Sequence, residues 1–401
     1  MAEDIISLSI NDVKRRWLVA VGGGIAGVIF GFTRGILPIV FPFMKSTIEM
    51  NYQDLGILTS SYFFSYMISS FIWGHYSDKI GGEKIVLLGT FLSGTMTIGI
   101  GFMSHFLPVL LFSVAIGVGA GAIHIPMKSI ILKWYKEKKT GFSVSIYSVG
   151  EGVQAIFVGI IIPLIVFAYS WRFVWSFLGM FSILLALGLL ILIRDRPSTG
   201  ESNNNLTPYV DDEGLNFYKI IKMPRMFQLS SIYFLHALVR GSFMTFIVTY
   251  LIKEGISFKI ASGAYSSVGF GMIPGAVLSG IASDIFRRTR VMALLLIIQG
   301  ISVSLILMIQ KGLLIYFLVA MIGFTLSGVV TVIATIPSEY YNPRTYGKVL
   351  GFLTFVYGIG VTLSPFIGGV IADRSGSLTL TLLIFGAGAS IIAGILALLI
   401  K

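Results

Sequence analysis

Twelve stretches of this chain are long and apolar enough to cross a bilayer, and they fall into two groups of six. A hydrocarbon core about 30 Å thick asks for ~20 apolar residues per helix. Such runs lie near 17–43, 54–77, 84–105, 107–134, 141–168 and 171–193. Six more lie near 226–252, 259–283, 290–310, 312–336, 347–371 and 378–400. Of the 401 residues, 55% are hydrophobic and 12% charged, against about 25% charged in soluble domains. That supply of charge cannot cover a water-facing surface, so a soluble enzyme is excluded, and the same numbers exclude a disordered chain. The pattern predicts an all-α membrane protein with twelve transmembrane helices in two pseudo-symmetric six-helix halves. The N-terminal half takes 1–193, a polar linker 194–225, and the C-terminal half 226–401.

Charge placement orients the spans. Lys and Arg collect at the chain ends and in the even-numbered loops, as Lys14-Arg15-Arg16, Lys133, Lys136, Lys138 and Lys139, and Arg287, Arg288 and Arg290. The opposite loops hold only Lys45, Arg172, Lys253, Lys259, Lys311 and Arg374. Basic residues favour the cytoplasmic side, so both termini are expected in the cytoplasm of a plasma-membrane protein. The net charge of +11 then needs no nucleic acid; the bilayer is the partner. The first span has no small-residue cleavage site after a short apolar core and reads as a retained helix. The linker carries Arg194-Asp195-Arg196-Pro197 and Asp211-Asp212-Glu213-Gly214, the composition of a tether.

Shifting the chain by 206 residues superposes the halves without gaps. Arg34-Gly35 falls on Arg240-Gly241, Ser60-Ser61 on Ser266-Ser267, Gly74 on Gly280, Asp78 on Asp284, and Gly152 on Gly358. Matches among Gly are expected in this composition. Matches among the scarce Arg and Asp in the same register are not. A parallel repeat of this kind places a binding site at the bilayer midplane between the halves, where rocking exposes it to either side.

Gly74-His75-Tyr76-Ser77-Asp78-Lys79-Ile80-Gly81-Gly82, between spans 2 and 3, resembles the signature loop of the major facilitator superfamily. Gly280-Ile281-Ala282-Ser283-Asp284 resembles its degenerate copy between spans 8 and 9. The resemblance runs over the whole chain. It implies that Gly74, Asp78, Gly280 and Asp284 belong to a cytoplasmic latch that breaks when the halves rock. The alternative, an ordinary topogenic turn, stays open.

Ionisable groups inside spans cost of order 2.5–3.5 kcal/mol each near the bilayer centre and mark function by default. Arg34, Lys128, Glu151 and Arg240 qualify, with His124 and His236. His124 and Lys128 share a helical face, as do His236 and Arg240. Two repeat-related guanidinium groups converging on one site repel each other until a carboxylate or phosphate is bound between them, which their forks pair bidentately. The interior sum is positive and selects anions. The rival reading has each Arg holding helices together through carbonyls or Glu151. The arginines on spans 1 and 7 resemble those of the anion:cation symporter and organophosphate antiporter families. Gly117-Val118-Gly119-Ala120-Gly121 resembles part of the fourth-span signature of the first.

Glu151 is the candidate proton-coupling residue, with His124 or His236 as a partner candidate, because desolvation and neighbouring cations pull a carboxyl in opposite directions. Tyr147 and Gln154 offer it hydrogen bonds; a static salt bridge is the rival. Tyr62, Tyr147, Tyr265 and Tyr357 are further cavity candidates. Neither cysteine nor metal-ligand spacing is present, and Gly22-Gly23-Gly24 lacks the Lys and Ser/Thr of a phosphate-binding loop. No cofactor is expected, nor an enzyme. The chain reads as a monomeric, proton-coupled secondary transporter of a small organic anion, a mono- or dicarboxylate, working by alternating access. The anion site is expected to use Arg34, Arg240, Lys128, His124, His236 and Tyr147. A proton-coupled multidrug exporter and a non-transporting membrane sensor or scaffold are the alternatives.

Overall fold

The computed structural model describes residues 10–135, 140–195, 223–308, 312–337 and 343–400. Lys136, Lys138 and Lys139, Lys311 and most of the expected linker lie outside them. Among the described residues there is no strand. Twelve helices are long and apolar enough to cross a membrane, as the apolar runs predict. They are α1 (Ile10–Ile48), α2 (Tyr52–Ile80), α3 (Gly82–Ile100), α4 (Phe106–Tyr135), α5 (Thr140–Ala168) and α6 (Trp171–Leu192). The second six are α7 (Pro224–Lys253), α8 (Phe258–Ile285), α9 (Arg288–Met308), α10 (Leu314–Thr335), α11 (Pro343–Ser375) and α12 (Leu378–Leu398).

Several helices outrun their apolar stretches. α1 starts seven residues before its expected span and passes through Pro38 and Pro42 without breaking. Packed neighbours allow this in a membrane, where an interrupted backbone bond is re-satisfied locally. α2 continues to Ile80, so Gly74 and Asp78 are helical, and the turn expected over the whole signature shrinks to Gly81. With φ 102°, Gly81 takes a left-handed conformation that side chains disfavour. α12 contains a π-helical stretch, Leu382–Gly388.

The chain divides into two compact units. The first holds Met1–Ile48 and Phe64–Arg196; the second holds Glu49–Phe63 and Pro197–Lys401. In the first unit α1 packs on α5, and α3 on α4 and α6. In the second, α7 packs on α11, and α9 on α10 and α12. The pairing repeats as the 206-residue shift predicts. The core of the second unit gathers Met226, Ile232, Leu296, Val332 and Leu353, all fully buried.

The end of α6 ties the first unit together. Asp195 Oδ2 accepts the Gly82 amide of α3 at 2.8 Å, and Lys133 of α4 donates to both its oxygens at 3.0 and 3.1 Å. Trp134 Nε1 donates to the Arg194 carbonyl at 2.7 Å. At the start of α6, Trp171 Nε1 donates to Thr47 Oγ1 of α1 at 3.2 Å. In the second unit the comparable tie is Asp373, whose carboxylate accepts the Tyr52 and Gln53 amides at 3.1 and 2.7 Å.

Candidate functional site

The site begins with a glycine stripe. Gly27, Gly31 and Gly35 recur every fourth residue along one face of α1 and lie against α5. A Cβ on Gly27 would strike the Tyr147 carbonyl, and one on Gly31 or Gly35 would strike the Gln154 side chain. Small residues at this spacing let two membrane helices approach backbone to backbone. The close approach brings Arg34 of α1 onto Glu151 of α5, where they form an ion pair. The side chains are 18% and 10% exposed, so the pair is sheltered yet reachable. Pairing cancels most of the cost of two isolated charges at membrane depth.

Around it stands an aromatic and basic cluster. The Arg34 guanidinium lies 4.7 Å from the Phe30 ring centroid, in cation–π range. Phe30 packs on His124 at 4.6 Å and on Tyr66 at 5.5 Å between ring centroids. His124 Nδ1 is 3.1 Å from the Tyr147 hydroxyl, and its Nε2 is 3.0 Å from Lys128 Nζ. The Lys128 ammonium also sits 5.4 Å from the Tyr147 ring centroid. Thus α1, α4 and α5 bring five sequence-predicted residues together: Arg34, His124, Lys128, Tyr147 and Glu151. Gln154 is buried beside them. Both readings of Glu151 predicted a cationic neighbour, and Arg34 is it.

The second unit places its candidates differently. His236 on α7 is fully buried, with Nδ1 3.3 Å from Gln299 Oε1 of α9. Ser390 Oγ of α12 donates to the same oxygen at 3.4 Å, just past the π-helical stretch. Tyr233 and Tyr357 flank the imidazole at 6.4 and 6.3 Å between ring centroids. Arg240 is half-buried one turn further along α7. Tyr62 and Tyr265 are buried.

The latch candidates sit at helix ends. A Cβ on Gly74 would lie 3.5 Å from Ile125 Cγ2, and one on Gly280 would lie 3.6 Å from Thr331 Cγ2; both are ordinary contacts, preserved across the repeat. Asp284 is exposed. Asp78 is in α2, and its side chain lies outside what the structure describes. Among the described residues no group of acidic and His side chains has the arrangement of a metal site.

Sequence reasoning missed Phe30, Tyr66, Gln299 and Asp195. Phe30 stands one turn before Arg34, a spacing that signals a cation–π partner. Asp195 lay in the stretch read as a tether. Nothing in the linear order brings Gln299 to His236.

Twelve apolar helices, a helix pairing repeated between two units, and ionisable side chains gathered inside the spans define a two-repeat membrane carrier. Residues 23–227 and 229–401 match the family model for the Major Facilitator Superfamily, and the chain belongs to that family. It is 21% identical to the hexuronate transporter of Bacillus subtilis (strain 168) over 386 residues, 90% of this chain and 89% of that one. It is 23% identical to the membrane sensor protein UhpC of Escherichia coli (strain K12), over 88% of this chain and 84% of that one. Among solved structures, the nucleoside transporter NupG shares its fold with a TM-score of 0.77 at 13% identity, covering 96% of this chain and 99% of that one.

Proposed function

We propose that this protein carries a small organic anion across the plasma membrane by alternating access, coupled to protons. The observation that supports this best is the Arg34–Glu151 ion pair beside Lys128, His124 and Tyr147. In the empty site Glu151 pairs with Arg34, and Lys128 brings a second basic group to the same cluster. Protonating Glu151 ends the ion pair and turns Arg34 toward an anionic oxygen, which its fork binds bidentately. Arg240 supplies the repeat-related guanidinium, with His236 buried one turn away. Gly74, Asp78, Gly280 and Asp284 act as the latch, with both termini in the cytoplasm and the monomer as the working unit. A mono- or dicarboxylate fits the charge, and the hexuronate transporter relative makes D-glucuronate the first probe.

The test is uptake of labelled D-glucuronate, lactate and succinate into proteoliposomes under an imposed pH gradient, with a cationic dye as the contrasting cargo. Carboxylate accumulation that collapses with the gradient, and is lost in Arg34→Ala, supports the reading. Dye transport without carboxylate transport replaces it with the exporter. The relationship to UhpC favours a second reading, a sensor that binds an anion without carrying it. That reading requires saturable binding with no counterflow.

A further inference from the structure

We propose that the start of α1 binds an anionic phospholipid, with Lys14, Arg15, Arg16 and Arg194 about its phosphate and Trp17, Leu18 and Val21 along its glycerol and upper acyl chain. Lys14, Trp17, Leu18 and Val21 stand at i, i+3, i+4 and i+7, which is one face of a helix, and all four are exposed. Along its length this face changes from an ammonium to an indole to aliphatic side chains. A bilayer changes in the same order, from headgroup to acyl chain. Trp suits that boundary, because its ring is apolar and its N–H is a donor. Gly22 brings the end of α6 against α1, where a Cβ would meet Ile193 Cγ2 at 2.9 Å. The exposed Leu190 and Ile191 of α6 extend the apolar surface there.

Trp134 of α4 gathers the basic residues. Its carbonyl accepts Arg16 Nε at 2.8 Å, and its indole N–H donates to the Arg194 carbonyl at 2.7 Å, so the chain just past α6 is held beside the start of α1. The Tyr135 hydroxyl donates to the Arg16 carbonyl at 3.1 Å, and its ring centroid lies 5.7 Å from the Arg16 guanidinium. Arg15 Nε is buried and has no hydrogen-bond partner among the described residues. Lys14 and Arg194 are exposed. The acids at this end are committed elsewhere. Asp195 accepts from Lys133 and from the Gly82 amide, and Glu83 accepts the Asp195 amide at 2.9 Å. Asp12, whose side chain lies outside the described residues, is one charge against four. Basic groups at a membrane surface each raise the affinity for anionic lipid about five-fold. A soluble anion would use the charge alone; a phospholipid uses the charge and the apolar stripe beneath it.

The test uses the full-length protein in phosphatidylcholine nanodiscs that contain a small fraction of lipid brominated high on the acyl chain. The chain has five tryptophans, and the Trp17 signal is the fluorescence lost in Trp17→Phe. Brominated phosphatidylglycerol should quench that signal several-fold more than brominated phosphatidylcholine at the same fraction, and added salt should weaken the preference. Lys14→Gln combined with Arg15→Gln should bring the two lipids close to parity; Lys14→Gln with Arg194→Gln serves if that pair does not fold. Lys259→Gln with Arg374→Gln removes the same charge from other helix ends and should leave the preference intact. Equal quenching by the two lipids in the wild type overturns the proposal, as does a preference that survives in the Lys14 and Arg15 variant. A preference lost just as much in the Lys259 and Arg374 variant reduces the effect to net charge and overturns the site. Displacement of the brominated lipid by millimolar glycerol phosphate assigns the basic cluster to a soluble phosphate and overturns the lipid as its occupant.

Discussion

The two units share one plan of helix pairing and differ in what they put inside it. Under the 206-residue shift, Phe30 of the first unit corresponds to His236 of the second, Glu151 to Tyr357, and Gln154 to Gly360. Arg34 and Arg240 stand in equivalent places, but the first faces a carboxylate and the second follows a neutral His–Gln–Ser set. The repeat keeps the helix pairing although Gly27 and Gly31 fall on Tyr233 and Ala237 and only Gly35 has a glycine counterpart, Gly241, and it releases the side chains between. The first unit thus holds an acid against a base, and the second a His236–Gln299–Ser390 set one turn before its arginine.

The largest expected effect tests that division. Glu151→Gln keeps the shape and removes the proposed proton site, so accumulation driven by a pH gradient should fall to the equilibrium level while exchange of anion for anion persists. Tyr357→Phe, at the equivalent place, should leave the gradient response intact. Concentrative uptake in Glu151→Gln, measured in proteoliposomes, removes Glu151 as the coupling residue.

The arginines should come next, and here the units should behave alike. Hydrogen bonds to charged groups contribute about 1.5–3 kcal/mol, so Arg34→Ala and Arg240→Ala should each lower the ratio of uptake rate to substrate concentration by roughly 10- to 100-fold. Lys at either place should recover part of the loss, since it has charge but no fork. A loss in one variant alone would show that the repeat is a relic of folding and not a shared clamp.

The glycines predict a difference in stability. A Cβ on Gly27 meets the Tyr147 carbonyl, which is backbone, head-on, whereas one on Gly241 first meets Ser364 Oγ, the end of a short side chain, and only then the Val361 carbonyl at 2.9 Å. Gly27→Ala should cost about 1–3 kcal/mol, read as an earlier thermal transition of the purified protein, and Gly241→Ala less. Equal shifts would mean that α7 and α11 pack as rigidly as α1 and α5.

Span number and helix pairing were legible because apolar length and a 206-residue offset are properties of linear order. The cluster of Arg34, His124, Lys128 and Glu151 was legible because charge inside a span is costly and therefore informative. Which acid met which base was not, since that depends on the facing of α1 against α5, set by Gly27, Gly31 and Gly35 acting across two spans. Aromatic neighbours such as Phe30 and Tyr66 were hidden for the opposite reason: in a chain rich in Phe and Tyr, one more gives no signal. Asp195 was misread because polar composition alone does not separate a tether from a cap.

That last residue gives the smallest prediction. In each unit a carboxylate distant in sequence accepts amides at a helix start, Asp195 at α3 and Asp373 at α2. Negative charge there satisfies unpaired donors and complements the positive end of the helix dipole. Asp195 is 17% exposed and also holds Lys133, whereas Asp373 is exposed and more open to screening by salt. Asp195→Ala should therefore cost about 1 kcal/mol and leave Lys133 without its carboxylate, with a loss that survives added salt. Asp373→Ala should shift the thermal transition less, and the shift should shrink as salt rises. If the two variants respond to salt alike, the first unit is no better anchored at its helix ends than the second, and the asymmetry between them is confined to Glu151 and its neighbours.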